Sequence, residues 1–538
     1  MSKAYLVGGG IASLASAAYL IKEAAWNPND ITIFEALAIN GGSLDGTSLE
    51  AHPTTEHTYL IRGGRMMNTP AYACTYDLFS FIPSLDTPNK SVYDEIKEFN
   101  QSHPTESHCR LVVDGKKINF ADLEFSSRDR LDIVELMAIP ESLLKNRSID
   151  SFFSEDFFKT NFWYMWCTMF AFQPWHSLIE FKRYLHRFIH EFPRVHTLGG
   201  VDRSPYNQYD SLVLPLETWL RKQGVHFENQ VEIYDLDGVF TNDEKLVRAL
   251  KLRRLAQNNK TISNVQSYLT FDIQVQPTDL VFVTIGSMTA ASDIGHHHKP
   301  ARLQTEKPVD WSLWETLAKK HSDFGNPHVF TEHIDQSKWL SFTLNLKDNI
   351  FFQAMEKFTG NVAGSGGLVT FKNSSWLMSI VLAYQPHFRH QPKNVQVCWG
   401  YGLFPDKIGD FVKKRMSDCT GEEILQELLF HLNFIDEKNK ILETSKCIPC
   451  MMPYITSQFL VRDPKDRPQV IPKGSKNLAL LGQFVEIPDD VVFTVEYSVR
   501  AAQIAVFNLL KLDRPISPLY KGQYDPKVLL AAMKTLLK

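Results

Sequence analysis

Ala4-Tyr5-Leu6-Val7-Gly8-Gly9-Gly10-Ile11-Ala12-Ser13 opens the chain, and the rest of the sequence is organised around it. Four apolar residues make a short buried-strand pattern, three glycines follow, and a helix-like run continues through Ala15, Ala17, Ala18 and Leu20. A second strand pattern, Ile31-Thr32-Ile33-Phe34, ends at Glu35, 25 residues after Gly10. Strand, glycine turn, helix, strand and acid in this order form a dinucleotide-binding unit. Gly8 permits the tight turn, Gly10 lets backbone approach a pyrophosphate, and the first N–H groups of the helix face the anion. Ser13 stands where a third glycine is usual, which a small residue satisfies. Glu35 is expected to accept hydrogen bonds from a ribose hydroxyl.

Two later stretches return to the same unit. Leu280-Val281-Phe282-Val283-Thr284-Ile285-Gly286 is a buried strand ending in a glycine turn. Leu478-Ala479-Leu480-Leu481-Gly482-Gln483-Phe484 is another, followed by a helical run from Thr494 to Leu510. Such late returns are the habit of two-dinucleotide flavoproteins, so the expected cofactor is FAD rather than NAD, although two plain core strands would look alike. The fold class expected is α/β: an FAD-binding Rossmann-like domain with an inserted α+β substrate domain and C-terminal helices. The nucleotide domain would be discontinuous, over 1–50, 205–300 and 472–512, with 51–204 and 301–471 inserted to hold substrate. Lys245 to Tyr268 alternates charged and apolar residues and reads as paired surface strands.

Composition narrows the function classes. The chain has 538 residues, too many for one core. Its 44% hydrophobic and 22% charged residues are ordinary for a globular protein. A formal charge of −4 gives no reason to expect nucleic acid. Seven scattered cysteines argue against a disulfide scaffold and for a reducing cytoplasm. Cys447 and Cys450 form a lone C-x-x-C without the second pair that a zinc site needs, and His296-His297-His298 reads as a solvated loop, so no metal is expected. No stretch reaches the ~18 uninterrupted apolar residues of a membrane span. Ala4 to Ala25 reads as structure rather than a leader, because removing it would destroy the glycine turn. Segment 513–538 ends in a short helix with Lys527, Lys534 and Lys538; docking on the body is the default, with peripheral contact at the inner membrane face as the alternative. Oligomeric state stays open between monomer and homodimer.

Several further segments, taken in order, are specific: Gly41-Gly42-Ser43-Leu44-Asp45-Gly46; Arg62-Gly63-Gly64-Arg65-Met66-Met67-Asn68; Ser154-Glu155-Asp156-Phe157-Phe158-Lys159; Asn161-Phe162-Trp163; Tyr206-Asn207-Gln208-Tyr209-Asp210-Ser211; Gln385-Pro386-His387-Phe388; Met452-Pro453-Tyr454-Ile455-Thr456-Ser457; and Val492-Phe493-Thr494-Val495-Glu496-Tyr497-Ser498. From about residue 4 to the C-terminus the chain resembles the oleate hydratase family, once labelled myosin-cross-reactive antigens. The resemblance implies hydration of a cis double bond in an unsaturated free fatty acid (oleate to 10-hydroxystearate, for example), without net redox, so that FAD is held for structure or electrostatics. It also implies FAD contacts at Gly8, Gly10, Ser13, Glu35, Ser43, Arg62, Gly63, Gly64, Met66, Gly286, Ser287, Gly482, Phe484 and Thr494.

Hydrating an unactivated alkene takes a proton at one carbon and water at the other, in a pocket that excludes stray nucleophiles. The aromatic run Phe157 to Phe188 is expected to wall that pocket, with Phe162, Trp163, Tyr164, Trp166, Met169, Phe170, Phe172 and Trp175, although periodicity alone describes an ordinary core. By the resemblance, Tyr184 in Phe181-Lys182-Arg183-Tyr184 is the proton donor, a phenol with pKa near ~10 that stays protonated at neutral pH. Gln208 and His387 match residues that hold the substrate carboxylate. Three departures stand out. Met66 occupies the place of a glutamate thought to activate water, which leaves that task to no base, to Asp77 or to a water network at the flavin. Val381 and Ala383 stand where many members carry Thr and Asn for the carboxylate, losing hydrogen bonds of ~1 kcal/mol each. An active hydratase with relaxed head-group demands is therefore expected; the alternatives are a flavin-dependent redox enzyme or isomerase acting on fatty acids, or an inactive flavin- and lipid-binding protein.

Overall fold

The computed structural model describes residues 2–44, 46–48, 58–63, 66–255, 268–304, 308–365 and 367–537. Its organising element is a five-stranded parallel sheet. In chain order the strands are β1 (Ala4–Val7), β2 (Ile31–Glu35), β3 (His226–Asn229), β4 (Leu280–Thr284) and β5 (Leu478–Leu481), laid side by side as β5-β4-β1-β2-β3. β1 pairs Ala4 with Ile31 on one side and with Leu280 on the other. Its four residues are all buried, as a parallel strand covered on both faces requires. Strands β5, β4 and β1 come from distant parts of the chain and pair because each is a nearly continuous apolar run that a doubly covered position satisfies, whereas the edge strand β3, His226-Phe227-Glu228-Asn229, is largely exposed.

Helix α1 (Ile11–Ala24) follows β1, and its Ala12, Ala15, Ala17 and Ala18 are buried, their small side chains letting the helix sit close on the sheet. Four further helices frame the site: α2 (Ala73–Phe81), α3 (Asn161–Phe170), α4 (Leu178–Arg187) and α5 (Val495–Leu509). α6 (Pro526–Leu536) lies against residues 189–194 and buries Ala532 and Leu536, while Leu530, Met533 and Leu537 stay exposed. Among the described residues no helix is long and apolar enough to cross a membrane.

A mixed eight-stranded sheet forms the other half. Its order is Asp293–Ile294, Ser445–Met452, Trp339–Leu346, Gln396–Gly402, Met378–Val381, Leu368–Phe371, Leu111–Val113 and Lys116–Lys117. Alternation sorts its side chains: Trp339, Trp399 and Tyr401 join the main core, whereas Leu340, Phe342 and Cys398 face a second core on the opposite side. Cys447 and Cys450, three apart on one strand, fall into different cores and cannot share a ligand. The expected surface strands pair as a three-stranded antiparallel sheet of Glu232–Phe240, Lys245–Leu255 and Tyr268–Gln274, with 256–267 outside the described residues.

A buried ionic network ties α4 to the segment between β5 and α5. Glu180 meets Arg462 at 2.9 Å and Arg467 at 3.0 Å, and Glu486 meets Arg183 at 2.9 Å and Arg462 at 2.8 Å. Farther along, Asp490 meets Arg187 at 2.8 Å and Arg500 at 2.9 Å. Burial alone would raise the Glu180 carboxyl, but Arg467, Arg462 and Arg183 together hold it below its ordinary value. Glu180→Ala leaves the buried guanidiniums of Arg462 and Arg467 with Glu486 as their one remaining carboxylate in this network, at an expected cost of about 3–5 kcal/mol. Urea unfolding measures it; a loss under ~1 kcal/mol would show that Glu180 is not what neutralises the pair.

Candidate active site

The glycine turn after β1 is shaped by close approach. Gly8 has φ +92°, and a Cβ there would lie 3.1 Å from the Thr284 Cβ on β4. Gly10 starts α1 with no side-chain cap and no acid in the first turn, leaving the first helical N–H groups to another partner. A Cβ at Gly42 would meet the Gly10 Cα at 3.2 Å, so these two glycines bring a second loop flush against the turn. The Ser13 hydroxyl lies 3.0 Å from that of Thr284, joining α1 to β4. Glu35 accepts the Gly9 N–H at 2.7 Å and the Leu37 N–H at 2.8 Å, so the acid that closes β2 also braces the turn.

Ser43 and Ser287 converge on Thr289, at 3.0 and 3.4 Å between hydroxyls, a residue that no sequence motif singles out. Gly286 has φ +63° and Gly482 φ +101°. The Phe484 ring is buried against Trp311, Trp314 and Phe330, so it serves the core and only its backbone is left for a ligand. Gly64 lies outside the described residues. An uncapped helix start, a bare Gly10 Cα and three hydroxyl pairs suit the phosphates and ribose of a dinucleotide.

Beyond the turn lies a large, mostly apolar cavity that is partly open to solvent. Arg62, Gly63, Met66, Thr494, Gln208, Val381, Ala383 and His387 all line it. Tyr184 lines it too. These residues come from separate stretches of sequence and are brought together only by the fold. Gly8, Gly10, Ser13, Glu35, Ser43, Gly286, Ser287 and Gly482 are not part of this wall: they lie in the glycine turn and the first turn of α1, at the ends of β2, β4 and β5 and in the loop of Gly42.

The aromatic run contributes less of the wall than its sequence suggests. Met169 and Phe170 line the cavity, but Phe162, Trp163, Tyr164, Trp166, Phe172 and Trp175 do not. Only the C-terminal turn of α3 reaches the cavity; the Trp163 and Trp166 rings pack on Phe181 and Phe192 behind it. Phe188, at the end of that run, lines it too, and the aromatic wall otherwise comes from outside the run, with Trp339, Tyr384, Trp399, Tyr401 and Phe493 among its residues. Asp77 is also elsewhere: it accepts from the Tyr19 hydroxyl at 3.1 Å and from Gln503 at 3.0 Å, and it pairs with Arg514. It does not line the cavity, so it is no substitute for the missing glutamate. The acid that does line it is Glu191, gripped by Arg194 at 2.7 and 2.8 Å. Burial would raise Glu191, yet His190 and Arg194 bring it down to about 2, which makes it a poor proton acceptor. Glu191 and Tyr72, whose hydroxyl donates to the Met66 carbonyl at 3.0 Å, carry no sequence signal. The histidine run is only partly a solvated loop: His297 is buried, and ligand atoms of His297, His298 and Glu422 lie within 4.8 Å of one another.

Tyr184 is fully buried among Phe170, Phe172, Phe188 and Phe459, and its hydroxyl donates to the Val492 carbonyl. Burial first, then Tyr72, Glu180 and Asp490, push this phenol well above its ordinary value, so it keeps its proton throughout the physiological range. His387 is half-buried, and desolvation brings it from 6.5 down to about 4, leaving a neutral imidazole at pH 7. An unfolded histidine takes its proton near 6.5, whereas this one waits until about 4. The stability it contributes is therefore present above pH 6.5 and lost as pH falls toward 4. Over that window His387→Asn flattens the fall in unfolding free energy by up to ~1.4 kcal/mol per pH unit. Urea titrations at pH 4.5, 5.5 and 6.5 test it, and unchanged slopes would mean that His387 is charged in the fold.

The sequence model of the MCRA family matches residues 1–507. An oleate hydratase of Streptococcus pyogenes serotype M49 (strain NZ131) is 37% identical over 98% of this chain and 88% of its own length. A linoleate hydratase of Lactiplantibacillus plantarum is 34% identical over 99% of this chain and 98% of its own. Among solved structures, cyclohexylamine oxidase from Brevibacterium oxydans IH-35A is only 12% identical but superposes with a TM-score of 0.51, covering 95% of this chain and all of that one; the likeness is one of fold.

Proposed function

The chain belongs to the MCRA family, and from that membership and the cavity we propose that it is a hydro-lyase adding water across a cis double bond of an unsaturated fatty acid. Two full-length relatives named oleate and linoleate hydratase support the reaction class. The observation that carries the assignment of roles is the un-ionised phenol of Tyr184 in the wall of a large apolar cavity, shared with Arg62, Gly63 and Thr494.

In this reading FAD occupies the turn formed by Gly8, Gly10 and Ser13, with Glu35, Ser43, Ser287 and the glycines at 286 and 482 around it. The nucleotide unit then draws on 1–50, 205–300 and 472–512. Bound flavin supplies shape and electrostatics to a reaction with no net change of oxidation state. The acyl chain fills the cavity with its olefin at Tyr184. The phenol gives its proton to one olefinic carbon, water adds to the other, and the proton that water releases returns to the phenolate, so the side chain ends as it began. The apolar wall excludes stray nucleophiles while positive charge develops. Met66 has a thioether that accepts no proton at neutral pH, so the balance closes through Tyr184.

FAD-loaded protein incubated with oleate in ¹⁸O-enriched water is expected to yield a hydroxy acid bearing one heavy oxygen. Tyr184→Phe should lower turnover at least ~100-fold, while Met66→Ala should lower it far less. Unchanged oleate, or full activity in Tyr184→Phe, contradicts the proposal. Reduction of the flavin by substrate under anaerobic conditions would point instead to a redox enzyme.

A further inference from the structure

A cavity that receives a fatty acid must answer the charge of its carboxylate. None of the four residues expected at the head group does so. Val381 and Ala383 are apolar, Gln208 is neutral, and His387 is uncharged because burial brings it to about 4. An ionised carboxylate buried beside neutral partners alone is strongly disfavoured, so a cation is needed nearby.

Three arginines line the cavity: Arg62, Arg194 and Arg203. Arg194 is already neutralised by Glu191, at 2.7 and 2.8 Å. Arg62 has contacts of its own within the protein. Arg203 is different. Its Nη2 donates to the His103 carbonyl at 3.1 Å, its Nε is buried with no hydrogen-bond partner, and among the described residues no carboxylate forms an ion pair with it. The adjacent Asp202 is occupied, accepting from the hydroxyls of Thr69 at 2.5 Å and Tyr76 at 3.2 Å. Burial draws the Arg203 guanidinium down to about 10, with Asp202 opposing, so it remains a cation at neutral pH.

Its surroundings lead directly to the edge where the polar residues are missing. The Arg203 N–H donates to the Asn100 side chain at 2.8 Å, and Asn100 donates back to the Arg203 carbonyl at 2.7 Å, which fixes this residue against the end of the helix Val92–Ser102. His103, whose carbonyl holds the guanidinium, packs edge-on against Tyr384 at 4.7 Å, and Tyr384 follows Ala383 in the chain. Tyr384 and Arg203 line the same cavity. A guanidinium presents paired N–H donors matched to a carboxylate, and it binds one more tightly than neutral amides or hydroxyls do.

We propose that Arg203 is the anchor for the substrate carboxylate, taking over the charge recognition that the side chains of Val381 and Ala383 do not provide. This rests on the fatty-acid reading above, and it makes the site selective for free acids over uncharged lipids with the same chain. The test compares oleate with oleyl alcohol, equal in chain and olefin but without the charge, by direct binding to the flavin-loaded protein and by turnover. Unsubstituted protein should bind oleate at least ~10-fold more tightly than the alcohol. Arg203→Met should erase that preference by weakening oleate alone, Arg203→Gln should do the same, and Arg203→Lys should recover most of it. Retained alcohol binding shows that each variant is folded. The inference is overturned if unsubstituted protein shows no preference for the acid, or if the substitutions weaken both ligands equally or neither. Failure of the hydratase reading is seen separately, as absence of product from unsubstituted protein that nonetheless binds oleate.

Discussion

The hydrogen bond from the Tyr184 hydroxyl to the Val492 carbonyl joins two residues 308 positions apart. On one side is α4; on the other is the segment that leads from the parallel sheet into α5. The bond sets where the phenol points and how far it lies from the loop that carries Thr494. Burial makes it more than a brace: in the aromatic enclosure of Phe170, Phe172, Phe188 and Phe459 a phenolate is disfavoured, so the group remains an acid.

That geometry is maintained by charges on the same helix. Glu180, Arg183 and Arg187 stand at intervals of three and four residues along α4, as Tyr184 does beside them, and each is buried. Arg183 reaches Glu486 and Arg187 reaches Asp490, so the segment carrying the accepting Val492 carbonyl is clamped at two points. Asp490 in turn pairs with Arg500 of α5. Isolated buried pairs are costly, and replacing them with apolar groups is often neutral or stabilising. Here they fix the mutual position of the proposed acid and the half of the molecule built on the parallel sheet, a task that interchangeable apolar contacts perform less specifically.

Much of this was legible in the sequence, for physical reasons. Ala4–Val7, Leu280–Thr284 and Leu478–Leu481 are apolar runs without alternation, and they do form adjacent parallel strands. The glycine turn announced itself because Gly8 takes a φ that favours glycine and a side chain at Gly9 would collide with Asn40 and Glu35. The site was harder. Phe162 and Trp166 look identical in sequence to residues that line the cavity, since composition does not say which face of α3 turns inward; they belong to the core. Asp77 had the right chemistry in the wrong place, bound to Arg514 and Tyr19. Arg203 and Glu191 were invisible as a contrast, because whether an arginine has a partner is decided by neighbours far away in the chain.

The departures at Met66, Val381 and Ala383 then take on a common meaning. In the proposed reading, a site with Met66 in place of a glutamate and with Val381 and Ala383 in place of two polar groups relies on the phenol for proton balance and on Arg203 for anchoring. Determining the structure with oleate and FAD bound tests this most directly. An olefinic carbon within about 4 Å of the Tyr184 hydroxyl is the predicted result. An acyl chain lying outside the cavity, or a double bond remote from that oxygen, would contradict it.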